Sequence, residues 1–198
     1  MQTAKATVLA AIAGRNRGIL ASSTANEQIL GAIATLEAQN PTPLPLESQD
    51  LLSGTWRLLY TTSDELLGIN RLPLYALGQI YQCIDGAAAK IYNIAEVNGL
   101  PGLNGLVSVA ASFTPTSETR VQVQFNRAVF GLQSLLQYDS PQQFIEQLET
   151  GKRFAAIDFS IQPREQQGWL EVTYLDEDLR IGRGNQGSVF VLTRVVDA

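Results

Sequence analysis

The stretch Tyr174–Arg194, YLDEDLRIGRGNQGSVFVLTR, decides how the rest of the chain is read. Two short apolar runs, Leu179–Arg183 and Ser188–Arg194, flank a glycine-rich turn, and an acidic corner, Asp176-Glu177-Asp178, precedes them. Asn185 and its neighbouring glycines suit a hairpin turn that needs positive φ. The run Gly182–Gly187 is not a phosphate loop: it lacks the Lys-Ser/Thr pair, and no helix follows to offer its N-terminus. A hairpin is not stable alone in water, so this one must complete a larger sheet.

The partners of that hairpin lie upstream, as segments of period two. Trp169–Leu175 precedes it, and Phe154–Ile161 aligns Ile157, Phe159 and Ile161, with Asp158 on the opposite, polar face. Arg120–Arg127 sets Val121, Val123 and Phe125 against Gln122, Gln124 and Asn126, a half-buried strand with one polar face. Gly105–Phe113 places Val107, Val109, Ala111 and Phe113 together. Gln79–Asp85 and Lys90–Val97 come earlier, and Thr55–Thr61 puts Trp56, Leu58 and Tyr60 on one face. About nine strands at short spacing predict a mainly β fold, an antiparallel barrel either closed or left partly open. Ala128–Gly151 interrupts the alternation with the apolar cluster Leu132, Leu135 and Leu136. A short helix follows over Pro141–Leu148, a lid, rim or plug for the barrel. The apolar segments Leu66–Ile69 and Arg71–Tyr75 follow the first strand where a mouth lid would sit, and Asn98–Gly105 presents its leucines to solvent.

Residues 1–40 carry helical spacing instead. Val8, Leu9 and Ile12 share a stripe, Gly14 and Gly18 punctuate the chain, and Thr24 with Glu27 fits a capping box before the stripe Ile29, Ile33 and Leu36. The expected organisation is a helical pair over 1–40 packed on the barrel, a proline-rich linker over 41–49, and the barrel over 50–198.

Composition excludes several functions. Of 198 residues, 45% are apolar and 17% charged, ordinary for a folded domain. A net charge of −5 gives no electrostatic footprint for nucleic acid. With no histidine and one cysteine, Cys83, the chain cannot build the usual zinc sets, a Ser-His-Asp triad, a Cys-His pair or an internal disulfide. No catalytic or metal-ligating residue is singled out, and the expectation is a protein that is not an enzyme. No apolar run reaches the roughly 20 residues that span a bilayer, and Val8–Ala13 is too short for a secretory signal.

Two resemblances sharpen this reading. Gly54-Thr55-Trp56 in the first strand, together with Arg194 in the last, is similar to the lipocalin-type barrel, where a basic side chain lies across the tryptophan at the closed end. Beyond that, Ala10–Ala21, Asn40–Leu46, Leu52–Leu67, Leu77–Ile84 and above all Tyr174–Arg194 resemble the plastid lipid-associated protein, or fibrillin, family of plastids and cyanobacteria. The resemblance implies a lipocalin-like barrel that binds or shelters carotenoids, prenylquinones, other isoprenoids or fatty acids at plastoglobules and thylakoids. It also implies a link to photoprotection and a cyanobacterial member, peripheral to the thylakoid, or a processed plastid form. Gly54, Trp56, Arg183, Gly184, Asn185 and Arg194 are the expected structural motif. Trp56, Leu58, Tyr60, Phe125, Asp176, Asp178 and Arg180 are the expected ligand-binding set, in the barrel and at its rim. The expected occupant is a bound lipid or isoprenoid, with no other cofactor. A peripheral membrane contact and a protein partner are further expectations. The alternatives are a scaffold for a prenylquinone-synthesising enzyme or thylakoid complex, and a tetrapyrrole-handling, lyase-like barrel.

Overall fold

Alternating apolar residues from Gly54 onward build a single nine-stranded antiparallel sheet. The structure is a computed structural model that describes residues 3–68, 74–162, 168–185 and 187–195. The strands are β1 (Gly54–Thr61), β2 (Ala76–Asp85), β3 (Lys90–Asn98), β4 (Gly105–Pro115), β5 (Arg120–Leu132), β6 (Ile157–Ser160), β7 (Gly168–Leu175), β8 (Leu179–Gly184) and β9 (Val189–Arg194). Their order, β4-β3-β2-β1-β9-β8-β7-β5, closes through the β4–β5 pairing into an eight-stranded up-and-down barrel, and β6 is an added strand beside β5. The Tyr174–Arg194 hairpin performs the closure, because β9 pairs with β1 and β8 pairs with β7.

Side chains sort into three apolar clusters that follow the pleat. The barrel interior holds Trp56, Leu58, Ile80, Ile91, Val121 and Leu192 among others. On one outer wall, helices α1 (Ala4–Ile12) and α2 (Ser23–Glu37) press Val8, Ile12, Ile29 and Ile33 onto Tyr60, Tyr174, Ile181 and Val191. The fold therefore depends on amphipathic helices burying the outer face of β7–β9 and β1. The cap of α2 differs from the capping box: Ser22, not Thr24, is the N-cap and accepts from the Ala25 N–H. Ala25 now stands where a box needs Glu or Gln, so the cap is a single bond. Between the helices, Gly18 has φ +110, and a Cβ there would lie 2.4 Å from the Thr61 carbonyl oxygen, so only glycine lets the connection lie against β1.

The second outer wall carries α5 (Gln133–Leu136) and α6 (Pro141–Glu149), after the short helices α3 (Gln49–Leu52) and α4 (Asp64–Leu67). Leu136, Phe144 and Leu148 pack on Cys83, Tyr92, Ile94 and Val129, which point outward from β2, β3 and β5. The insertion is therefore neither lid nor plug. It also starts later than the alternation indicates, since β5 continues through Leu132. Near the mouth, Leu66 of α4 packs against the interior cluster. Leu74 of the second apolar segment is exposed, and residues 69–73 lie outside the described residues. Leu100 and Leu103 are exposed, as expected.

Candidate functional site

One end of the barrel is sealed around an indole. The β1–β9 register sets Trp56 opposite Arg194, and the guanidinium carbon of Arg194 sits 4.4 Å from the ring centroid. Arg194 also donates to the carbonyls of Ser53 and Glu177, each at 2.9 Å, and to that of Leu51. The Trp56 Nε1–H donates to the Leu52 carbonyl at 2.9 Å. The glycine of the Gly-x-Trp motif has its own reason. Gly54 has φ +124, and a Cβ there would stand 2.8 Å from Arg194 Nη1. The cation–π contact contributes roughly 0.5–2 kcal/mol, so this constellation is structural closure.

A second guanidinium shares the same ring. Arg180 points inward from β8, is 1% exposed, and lies 5.0 Å from the Trp56 centroid. Its Nη2 donates to Gln82 Oε1, and Gln82 Nε2 donates to Asn93 Oδ1 at 2.8 Å. Burial, with Arg194 as a neighbouring like charge, pushes its pKa down to about 9, which leaves it cationic at neutral pH.

Among the described residues the opposite part of the wall is open. β7 and β6 pair in turn with the same edge of β5, β7 at Arg120–Val123 and β6 at Arg127–Phe130. Among the described residues β6 has no partner on its other edge. Ile157 pairs with Phe130 and Phe159 with Ala128, while Phe130 and Ala128 pair in turn with Val107 and Val109 of β4. These side chains therefore share the barrel-facing side, yet Ile157 is 65%, Phe159 46% and Phe125 44% exposed. Phe130 and Phe159 stack with centroids 6.2 Å apart. The lip is held from behind by Asp158, which accepts from Arg127 at 2.9 and 2.7 Å and from the Phe154 N–H at 3.0 Å. The hydrogen bonds of Arg127 hold the Asp158 carboxyl below its usual range, against the upward push of burial. Asp158 is thus a buried anchor, not an exposed polar residue.

The remaining expected residues scatter. A bulge between Leu58 and Tyr60 turns Tyr60 to the outer wall, where its hydroxyl donates to Asn26 at 2.8 Å. The three side chains of Trp56, Leu58 and Tyr60 therefore do not share one face. Phe125 stays on the face of Val121 and Val123, opposite Ala111, but lies exposed at the opening instead of being buried. Asp176 and Asp178 accept from Lys5 of α1 at 2.8 and 2.9 Å, so they tether a helix. Burial pushes Asp176 up, but Lys5, the Tyr174 hydroxyl and two backbone N–H groups outweigh it and hold it below the usual carboxylate range. Arg183 reaches Glu37 of α2 at 2.7 and 2.8 Å. Gly184 and Asn185 form the β8–β9 turn, with the Gly184 N–H donating to the Ser188 carbonyl and the positive φ taken by Gly187. Among the described residues no cluster of three or more acids or cysteine is placed to hold a metal. No helix there is long and apolar enough to cross a membrane. Phe130, Ile157, Gln82 and Asn93 are site residues that pattern reading missed. The alternation of Ile157 and Phe159 carries no signal that their face is left uncovered.

An eight-stranded up-and-down barrel, closed by its first and last strands with an arginine across the tryptophan at one end, defines a lipocalin-like architecture. The chain matches the PAP_fibrillin family model over residues 2–193 and belongs to that family. It is 35% identical to plastoglobulin-1, chloroplastic, of Pisum sativum, covering 96% of this chain and 60% of that protein. It is 33% identical to the probable plastid-lipid-associated protein 2, chloroplastic, of Arabidopsis thaliana (96% and 70%). It is also 33% identical to the chromoplast-specific carotenoid-associated protein of Cucumis sativus (91% and 64%). The chain therefore spans 60% of the pea protein's length and 64% of the cucumber protein's. No solved structure matches.

Proposed function

We propose that this protein is a non-enzymatic, lipid-associated protein of a photosynthetic or plastid membrane system, which shelters an apolar molecule at the open side of its barrel. The observation that carries the reading is the row Phe125, Phe130, Ile157 and Phe159. These barrel-facing apolar side chains meet solvent beside a strand whose other edge is unpaired among the described residues. The lipid- and carotenoid-associated names of the relatives agree with it. Covering the exposed parts of Phe125, Ile157 and Phe159 would contribute about 3 kcal/mol. That suits a weak, reversible contact with a lipid surface, comparable to a single short acyl anchor. The net charge of −5 favours neutral over anionic lipid.

Flotation with vesicles of uncharged galactolipid tests the reading. The wild-type chain is expected to float, and Ile157→Asp/Phe159→Asp is expected to stay in the dense fraction while its circular dichroism is unchanged. Equal flotation of both proteins would move the lipid contact away from the opening. Absence of flotation by either would refute lipid association.

A further inference from the structure

Among the described residues, a cation inside the barrel has no paired anion. Arg180 is fully buried, its Nη2 is used by Gln82, and its Nη1 has no hydrogen-bond partner among the described residues. The acids in the described ion pairs, Asp158, Asp176, Asp178, Glu37, Glu149 and Glu171, all pair with other cations. An unpaired buried charge is costly, and an apolar side chain of similar volume would fill the same space without that cost. Guanidinium is also a five-donor fork matched to a carboxylate. Beyond Arg180 the inner face of β8 carries no side chain. The next inward positions of β8 are Gly182 and Gly184; a Cβ at Gly182 would stand 3.4 Å from Leu170 Cδ1 and from the Glu171 carbonyl oxygen, and one at Gly184 would stand 3.4 Å from Phe190 Cε2. Leu170 and Phe190 are both partly exposed, and along β5 the line of β7 continues into β6 and the opening.

We infer that the barrel takes an apolar chain ending in a carboxylate, with the acid head on Arg180 Nη1 and the tail running past Leu170 and Phe190 to Phe130 and Ile157. This rests on the reading that the barrel shelters an apolar molecule, and adds the chemistry of the head. A carboxylate is favoured over a hydroxyl or ester because charge-assisted hydrogen bonds are roughly twice as strong as neutral ones.

The test is calorimetric titration of the full chain with oleic acid, methyl oleate and oleyl alcohol, which share a tail and differ in the head. The acid is expected to bind at least tenfold more tightly than either neutral analogue. The carboxyl carbon of bound, 13C-labelled oleic acid is expected to titrate below its free value. Arg180→Met is expected to bind all three alike, with urea stability of the ligand-free protein equal or raised. Equal affinities of the three for the wild-type chain would overturn the inference and leave the sheltering role intact. Binding of none would overturn both. If Arg180→Met does not fold, the wild-type affinities and the carboxyl titration decide alone.

Discussion

Replacing Asp158 by Asn should loosen the lip of the opening. The carboxylate is 3% exposed, accepts twice from Arg127 at 2.9 and 2.7 Å and once from the Phe154 N–H, and lies 3.3 Å from Arg153 Nη1. Breaking a buried ion pair by removing one partner costs about 3–5 kcal/mol. Two features reduce the figure here. Asn retains one acceptor, and Arg127 keeps the carbonyls of Leu148 and Lys152. A loss of about 2 kcal/mol follows for the β6 segment. Because β6 has a single partner strand among the described residues, the loss should appear first as local opening, a roughly 30-fold fall in hydrogen-exchange protection of β6 amides with a smaller change in global stability. The pH dependence has a definite sign. Asp158 is depressed in the folded protein, so its contribution is full above the unfolded carboxylate value of about 3.9 and disappears as pH falls through the lower folded value. The difference between wild type and Asp158→Asn, read by hydrogen exchange, should therefore be constant near neutrality and vanish in acid. Unchanged β6 protection at neutral pH, or a difference that persists after Asp158 is protonated, would refute the anchoring role.

Gly54→Ala should cost about 1–3 kcal/mol in urea unfolding, since it strains the backbone at φ +124 and pushes Arg194 off Trp56. A quenched or red-shifted Trp56 emission should accompany it, and unchanged stability would contradict the closure geometry. Lys5→Met should free the N-terminal helix at neutral pH by about 1 kcal/mol, seen as faster proteolysis within α1. The contribution of Asp176 to that tether is present above the unfolded carboxylate value and is lost as pH falls through its depressed folded value. The contribution of Lys5, whose pKa is raised, is lost only as pH rises through its folded value. Proteolysis within α1 of the wild type should therefore speed up at acid and at strongly alkaline pH, while Val8 and Ile12 keep the helix packed on the barrel. Tyr60→Phe, which removes the hydroxyl bond to Asn26, should leave lipid binding unaltered because Tyr60 lies under α2. Loss of lipid binding would return Tyr60 to the ligand site.

The closed end was legible in the sequence because its logic is topological. A meander that closes must bring its first and last strands together, and Gly54, Trp56 and Arg194 sit on those two strands in matching positions. The open side was not legible, because alternation reports which residues share a face and not whether a neighbouring strand covers it. Ile157 and Phe159 alternate as core residues do, yet among the described residues β6 lacks a second partner strand. Bulges defeated the reading in the same way: one extra residue between Leu58 and Tyr60 sends Tyr60 to the other wall. The acidic corner looked like a rim because the cation that neutralises it, Lys5, lies far away in the chain.

The central claim is that the opening between β6 and the rest of the barrel is where lipid is met, and a local probe tests it most directly. Cys83 is buried and its thiol is pushed up to about 11, so it leaves a maleimide label to a cysteine placed elsewhere. A bimane on Ile157→Cys should shift to shorter wavelength and be quenched by brominated acyl chains when galactolipid vesicles are added. The same label on Leu135→Cys, an exposed leucine of α5 beside the other wall, should do neither. A response at position 135 with none at position 157 would contradict the account.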